Sequence, residues 1–527
     1  MARGRAFVKR PCAAAGAARR RRTHRGAWFG LVVTLIAAIL SGPVAAADVA
    51  PDAPAAAASS ASATEAGAPP NGPPTAAAST PAAPERSLLL PAFEIIGFDF
   101  LLNRIDRSVG TGRDDYRVTV ATIRRNLKSD WGTDHDPFKI NQLGHPYQGS
   151  MYHGFARSAG FNYWESAGYT FAGSALWEIA GESTLPSRND QVASGIGGTF
   201  LGEALFRMSN LVLEKGGGMS PFWRELTAAA ISPSSGFNRL VFDDRFGGIY
   251  SSHGAEYFSR MQLGLATSVK NEVGPSGAGL KRDEAQANFA IDYGLPGKPD
   301  YDYRRPFDYF AFQATASSAN IFESVFTRGL LVGAPYEAGD NYRGVWGLYG
   351  SYDYVSPQTF RVSSTSLALG STAQWWLSPT LSLQGTALAG VGYAAVGTTR
   401  GPVGERSYNY GVAPQALLAL RLTHGDTASL DLTARDFFVS RVASGTNAGH
   451  DNIVRIDAAL TLRIYKQHAV TFKVVANRRD ATFANPGTQT QTRATIGIYY
   501  TLLGQERFGA VDWRKPAEPK RDAGIAQ

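Results

Sequence analysis

The residues best suited to chemistry lie between Gly144 and Arg207. His145 and His153 precede Glu178 and Glu182. The two glutamates are four apart, so on one helix their carboxylates point the same way. Like charges at that spacing repel by a few tenths of a kcal/mol, roughly, unless a metal, a shared proton or an Arg such as Arg157 stands between them. Two histidines and two carboxylates would suit a His/Glu metal site. No HExxH or similarly tight ligand spacing is present. The plainer expectation is a solvated acidic face with hydrogen-bonded histidines, and no metal or other cofactor. Glu203 and Arg207 form an i,i+4 ion pair in the favourable order. Asp190 sits three residues after Ser187, where a capping box places its acid. Ser150 stands near His153, but no nucleophile elbow or third member accompanies it.

These residues need helices to hold them. The pattern predicts a short helix over 150–158, a longer one over 162–181, and a third starting after Pro186 at Ser187. Ser194, Gly198 and Gly202 are four apart and share one smooth face that lets a second backbone come close. His145-Pro146-Tyr147 reads as a rigid turn into the first helix. Further helices are expected over 115–128 and over 221–231, the latter ended by Pro233 and Gly236. Residues 88–102 suit strand and helix equally. The sum is a tight helical bundle, or helices packed against another surface.

The strings GHPYQGSMYHGFARS (Gly144–Ser158), YWESAGYTFAGSALWE (Tyr163–Glu178), PSRNDQ (Pro186–Gln191), GTFLGEALFRMSN (Gly198–Asn210) and GFNRL (Gly236–Leu240) carry a resemblance. The stretch from about Asn103 to Leu240 resembles an uncharacterised bacterial outer-membrane family, domain of unknown function 3943. The resemblance implies an envelope protein and brings no known activity. It marks Gly144, Pro146, Tyr147, Arg157, Trp177, Asn189, Asp190, Glu203 and Arg207 as motif positions.

The net charge of +8 is a property of the N-terminus. Residues 1–47 carry nine Arg and Lys and no acid, so the remainder stands at −1. A nearly neutral chain gives no electrostatic case for nucleic acid. The same 47 residues read as a signal peptide: a basic run, an apolar core from Trp28 to Leu40, and Ala45-Ala46-Ala47 before the cut. The only cysteine, Cys12, falls inside it, so no disulfide or Cys-ligated metal is expected afterwards. Residues 48–86 are rich in Ala and Pro and read as a disordered linker.

From about Glu256 the period changes to two and stays there. Twelve candidate strands follow, from Glu256–Val269 to Thr490–Leu503, joined by Gly, Asn, Asp and Pro turns. In 452–465, Val454, Ile456, Ala458, Leu460, Leu462 and Ile464 oppose Arg455, Asp457, Thr461 and Arg463. Most strands reach the roughly 9–11 residues of a tilted membrane-crossing strand. Paired aromatics near strand ends (Trp375-Trp376, Phe437-Phe438, Tyr499-Tyr500) suit an interfacial girdle. The expected architecture is an α+β membrane protein: a small helical domain over 87–240, then an antiparallel transmembrane β-barrel of about twelve strands over 241–510. The helices would plug the lumen or sit at its periplasmic mouth. Mixed charge on the polar faces implies a wet lumen or one closed by ion pairs. A polar tail, 511–527, follows the barrel, with Phe508 or Trp513 extending the last strand.

The expected function is that of an outer-membrane barrel serving envelope structure or small-solute passage. Outer-membrane lipid and the barrel assembly machinery would be its partners, along with a small-molecule or lipid ligand. The alternative is a membrane-embedded enzyme working on a lipid or cell-wall substrate through His145, His153, Glu178 and Glu182.

Overall fold

A computed structural model of the chain describes residues 86–109, 113–134, 136–216, 218–242, 246–272, 280–398, 404–441, 449–483 and 487–513. The segment read as a signal peptide, nearly all of the one read as a linker, and residues 514–527 lie outside the described residues.

The helical part runs through α1 (Leu89–Val109), α2 (Val120–Asn126), α3 (His145–Ser158), α4 (Tyr163–Leu176), α5 (Arg188–Val192), α6 (Gly198–Lys215), α7 (Pro221–Ile231) and α8 (Pro233–Val241). Three π turns, Ile140–Gly144, Trp177–Gly181 and Ala193–Gly197, interrupt it beside α3, α4 and α6. Local chemistry sets the starts. Asn162 and Glu165 close a capping box on α4, and the Ser187 hydroxyl accepts from the Asp190 N–H to open α5. Pro233 begins a helix rather than ending one. A proline at the first turn has no N–H to leave unmet, so it suits a helix start. The stretch 88–102 resolves as helix.

Helix α3 is buried along nearly its whole length. Its close neighbour is α6, and small residues make the approach possible. A Cβ on Gly149 would lie 2.0 Å from the Ser194 carbonyl oxygen, and one on Gly198 would lie 2.6 Å from the Gly149 Cα. The Ser194/Gly198/Gly202 face therefore does bring two backbones into contact.

The strands are β1 (Tyr257–Glu272), β2 (Leu280–Tyr293), β3 (Phe310–Ser317), β4 (Ser324–Ala338), β5 (Tyr342–Val355), β6 (Phe360–Trp376), β7 (Leu381–Thr398), β8 (Tyr408–His424), β9 (Ala428–Arg441), β10 (Gly449–Tyr465), β11 (His468–Phe483) and β12 (Thr488–Leu503). Each pairs antiparallel with its sequence neighbour, and β1 pairs with β12 to close the barrel. Closure leaves no free edge, which is the condition for a sheet to sit in lipid.

Cross-barrel contacts define the inside. Arg421 on β8 reaches Asp292 on β2, six strands away, at 3.0 Å, and Asp431 at 2.8 Å. Arg260 on β1 meets Asp431 on β9 at 2.8 Å. Arg493 meets Glu284 and Glu323, each at 2.9 Å. The lumen is thus closed by ion pairs, and a cavity in it, lined by Arg260, Asp292, Arg421 and Arg435, holds about 90 Å³. That is room for a few waters.

The entry end, where β1 begins and β12 finishes, is stoppered by the C-terminal segment. Phe508 is fully buried against Phe258 and lies under the Arg463 guanidinium. Gln384 Nε2 donates to the Gly509 carbonyl at 2.7 Å, and Trp513 packs on Trp376. Phe508 and Trp513 therefore turn into the lumen rather than extending β12. Their aromatic rings find Phe258 and Trp376 there.

The helical domain lies beside the wall and not within it as a plug. Its core contacts are to outward-facing residues. Asp353 and Ser351 face the lumen with Arg328 and Arg435, so Tyr352 and Tyr354 face out. The Tyr352 hydroxyl donates to the Gln142 carbonyl at 2.6 Å, and Phe138 packs on Tyr354. Phe200 lies on Gly350, where a Cβ would meet its ring at 2.5 Å. Tyr163 stacks on Phe307 near the entry end, and Asn141 Nδ2 donates to the Tyr408 hydroxyl at 2.9 Å near the far end. The domain runs obliquely over the outer face of β2 to β8. Val332, Trp346, Leu369 and Val391 stay exposed beside it, and the arc from β9 through β12 to β1 carries Leu460, Phe472, Ile496 and Leu265 in the open.

Candidate functional site

Two buried clusters sit in the helical domain, and they divide the candidate residues. The first is built on Glu203 of α6. Its Oε2 accepts from Arg157 Nε at 2.7 Å and lies 3.0 Å from His153 Nε2. Its Oε1 accepts from Arg207 Nε at 2.8 Å and from Arg157 Nη2 at 3.2 Å. Arg207 reaches on to Asp308 at 3.1 Å and to the Pro306 carbonyl at 2.7 Å, tying helix to barrel. The Arg157 guanidinium also donates to the Phe161 carbonyl and faces the rings of Phe206 and Tyr250. Burial alone would raise the Glu203 pKa, but Arg157, His153 and Arg207 together hold it well below the usual carboxylate range. Burial lowers the His153 pKa. Each carboxylate in this cluster is answered by guanidiniums: Glu203 by Arg157 and Arg207, and Asp308 by Arg207 and Arg305.

The second cluster joins His145, Glu178 and Asp190. One ligand atom from each lies within 4.8 Å of the others. All three are buried: 5%, 3% and 3% exposed. The π turn Ile140–Gly144 delivers His145 at the head of α3, followed by Pro146 in the first turn. Glu178 is on the π turn Trp177–Gly181, and Asp190 is on α5. His145 Nδ1 faces the Ser194 hydroxyl at 3.3 Å, and Nε2 points at Asp190 Oδ1 across 3.9 Å. The Ser187 N–H donates to Glu178 Oε2 at 2.8 Å, and Asn189 Nδ2 donates to Asp190 Oδ1 at 2.9 Å. Asn189 also donates to the Tyr410 hydroxyl at 2.7 Å, fastening this cluster to β8. Among the described residues no Arg or Lys pairs with Glu178 or Asp190. Burial first, then the neighbouring Asp190 and Glu182, pushes the Glu178 pKa far up. Burial pushes Asp190 up to about 8.

The sequence spacing therefore grouped the residues differently from the fold. Glu178 is buried, not solvated. Glu182 is the extended residue after the π turn, and its carboxylate accepts from Trp177 Nε1 at 2.7 Å and from Thr184. The i,i+4 geometry fails because the helix ends at Gly181 and Glu182 continues in extended backbone. His153 joins Glu203 instead of His145. Arg157 answers Glu203 and neither of the paired glutamates. Ser150 donates to the Tyr147 carbonyl at 2.6 Å. Gly144 closes the first π turn, and Tyr147 lies beside the Tyr152 cluster. Sequence reasoning missed Asp99, which accepts from the Tyr152 hydroxyl, and Asp308, which answers Arg207. An acid in the apolar run of α1 was the one available signal for the former.

Residues 130–234 match the family described as Domain of unknown function (DUF3943). They contain the second cluster whole and the helical members of the first, and the chain therefore joins this domain to a twelve-stranded barrel of the outer-membrane type. Among solved structures the chain is similar to the NanC porin, at 8% identity over 45% of this chain and 98% of that one, with a TM-score of 0.21. It is similar to a FadL homologue from Pseudomonas aeruginosa, at 11% identity over 48% and 90%, with a TM-score of 0.22. It is also similar to an anion-selective porin from Comamonas acidovorans, at 10% identity over 47% and 100%, with a TM-score of 0.20. No curated protein matches the chain at a significant level.

Proposed function

We propose that this is a bacterial outer-membrane protein in which a shut barrel anchors a helical domain against its lipid-facing wall. The role that follows is in envelope structure, with the helices as the working part. Solute passage would require the lumen to open first. The observation that carries this reading is the pairing of a stoppered lumen with a domain core docked on outward-facing strand residues. An open pore needs a continuous wet path, and here cross-barrel ion pairs and the Phe508 segment occupy it.

The outward side of the helical domain supports the placement in lipid. Helix α1 exposes Leu89, Phe93, Ile96, Phe100 and Leu101 along one side, beside a barrel arc of the same character. No helix among the described residues is long and apolar enough to cross a membrane alone, so α1 would lie against the bilayer as part of the flank. In this reading residues 1–47 export the chain and are removed after Ala47. Outer-membrane lipid and the barrel assembly machinery are its partners.

The test is electrical and chemical together. Purified protein in planar bilayers should show no steady conductance. A fluorophore at Phe93→Cys should be quenched by lipid-soluble quenchers in outer-membrane vesicles. A stable open-channel current, or aqueous quenching alone at Phe93→Cys, would overturn the reading.

A further inference from the structure

We propose that His145, Glu178 and Asp190 together bind one divalent cation of the zinc or manganese type. Three ligand atoms from three separate elements converge within 4.8 Å. One imidazole and two carboxylates are a borderline donor set, which suits first-row ions better than Mg²⁺ or Ca²⁺.

Charge makes the stronger case. Buried carboxylates are tolerated when opposite charge or protons answer them. The same domain shows what an answered carboxylate looks like: Glu203, fully buried, meets Arg157 and Arg207. Glu178 and Asp190 are buried side by side and, among the described residues, neither meets an Arg or Lys. Two carboxylates carry the charge that one divalent ion neutralises.

A second observation comes from His145. It is 95% buried, and its Nε2 is aimed at the carboxylates but stops 3.9 Å from Asp190 Oδ1, too far to hydrogen-bond. Its other nitrogen faces Ser194 Oγ. If Nδ1 donates there, Nε2 presents a lone pair to the gap, the arrangement in which a ligating histidine is oriented through its far nitrogen. The Ser187 N–H and the Asn189 amide hold the carboxylates in the same way. This inference stands whether or not the barrel conducts.

The rival is a single proton shared between Glu178 and Asp190. Full-length protein, extracted in detergent without chelator or histidine tag, separates the two by elemental analysis. About one equivalent of Zn or Mn per chain is expected, lost in Glu178→Gln and in Asp190→Asn and kept in the remote Glu225→Gln control. EDTA should lower the Tm of the wild type and leave that of Glu178→Gln unmoved. Titrating the stripped wild type with Zn²⁺ and Mn²⁺ provides a readout that needs no variant. No saturable binding there, or binding unchanged in both acid variants, would overturn the site in favour of the shared proton.

Discussion

Gln374 grips the Val511 peptide from both sides: its Nε2 donates to the Val511 carbonyl at 2.6 Å, and its Oε1 accepts from the Val511 N–H at 2.9 Å. Trp376 Nε1 adds a bond to the same carbonyl at 2.9 Å. The C-terminal segment is held as a strand partner would be, but by side chains inside the lumen. Gln374→Leu leaves the buried Val511 N–H unmet, a loss of about 1–3 kcal/mol, and leaves the carbonyl to Trp376 alone. The expected outcome is release of the segment with the barrel intact. Transient currents should appear in bilayers where the wild type is silent, and trypsin should cut at Arg507. Retained silence with full protection of Arg507 would show that the segment does not depend on this grip.

Leu460 and Thr461 are neighbours on β10 with opposite fates, 40% and 1% exposed. Leu460 is on the outer arc and should touch lipid tails. Leu460→Arg should cost about 2–4 kcal/mol in a membrane near mid-depth. With residues 1–47 removed, Leu460→Cys supplies the only thiol, and a label there should be quenched from lipid far more than one at Thr461→Cys. Equal quenching at the two positions would exclude a lipid-facing β10.

Glu203→Gln tests the compensated cluster. The change leaves Arg157 facing a neutral amide in a fully buried site while Arg207 keeps Asp308, and an unanswered buried charge costs about 3–5 kcal/mol. Glu225→Gln breaks a pair in which the glutamate is 47% exposed and should cost under about 1 kcal/mol. Denaturant unfolding of the two variants checks the ranking. Equal losses would place the Glu203 pair in a far more polar setting than its burial indicates.

Asp99 gives a pH dependence. Burial raises its pKa to about 7, against opposing hydrogen bonds from Tyr152 and Gln148. An unfolded aspartate loses its proton near pH 4. Between those values the folded chain binds the extra proton, so stability falls as pH rises from about 4 to about 7 and levels above that. Asp99→Asn should remove this decline and be the more stable protein at pH 8. A wild-type stability curve parallel to that of Asp99→Asn over the window would refute it.

The strands were the most legible part of the chain. Alternation such as that from Val454 to Ile464 marks a two-faced strand directly, and all twelve expected segments form β1 to β12. The girdle was only half legible. Consecutive residues on a strand point to opposite faces, so each aromatic pair must split. Trp375, Phe438 and Tyr500 face out, while Trp376, Phe437 and Tyr499 are buried in the lumen. The docking of the helices was not legible, because Tyr352 and Tyr410 have the same alternation whether lipid or protein covers them. The candidate site was obscured by a helix end. The helix stops at Gly181, so Glu182 leaves the face of Glu178, and the third member is Asp190, whose role as a helix-start residue hid its second neighbour, His145.

The oblique helical domain crosses the wall from β2 to β8, where Val332, Trp346, Leu369 and Val391 stay exposed beside it, and leaves the arc from β9 through β12 to β1. The protein thus has two unlike flanks. A ring of identical subunits touches each neighbour with a different flank, so it would have to seat one copy's helices on the next copy's bare strands. A two-fold pair joins like to like. Meeting across β9–β1, such a pair would turn both helical domains outward, away from the axis, and each would keep its own lipid boundary.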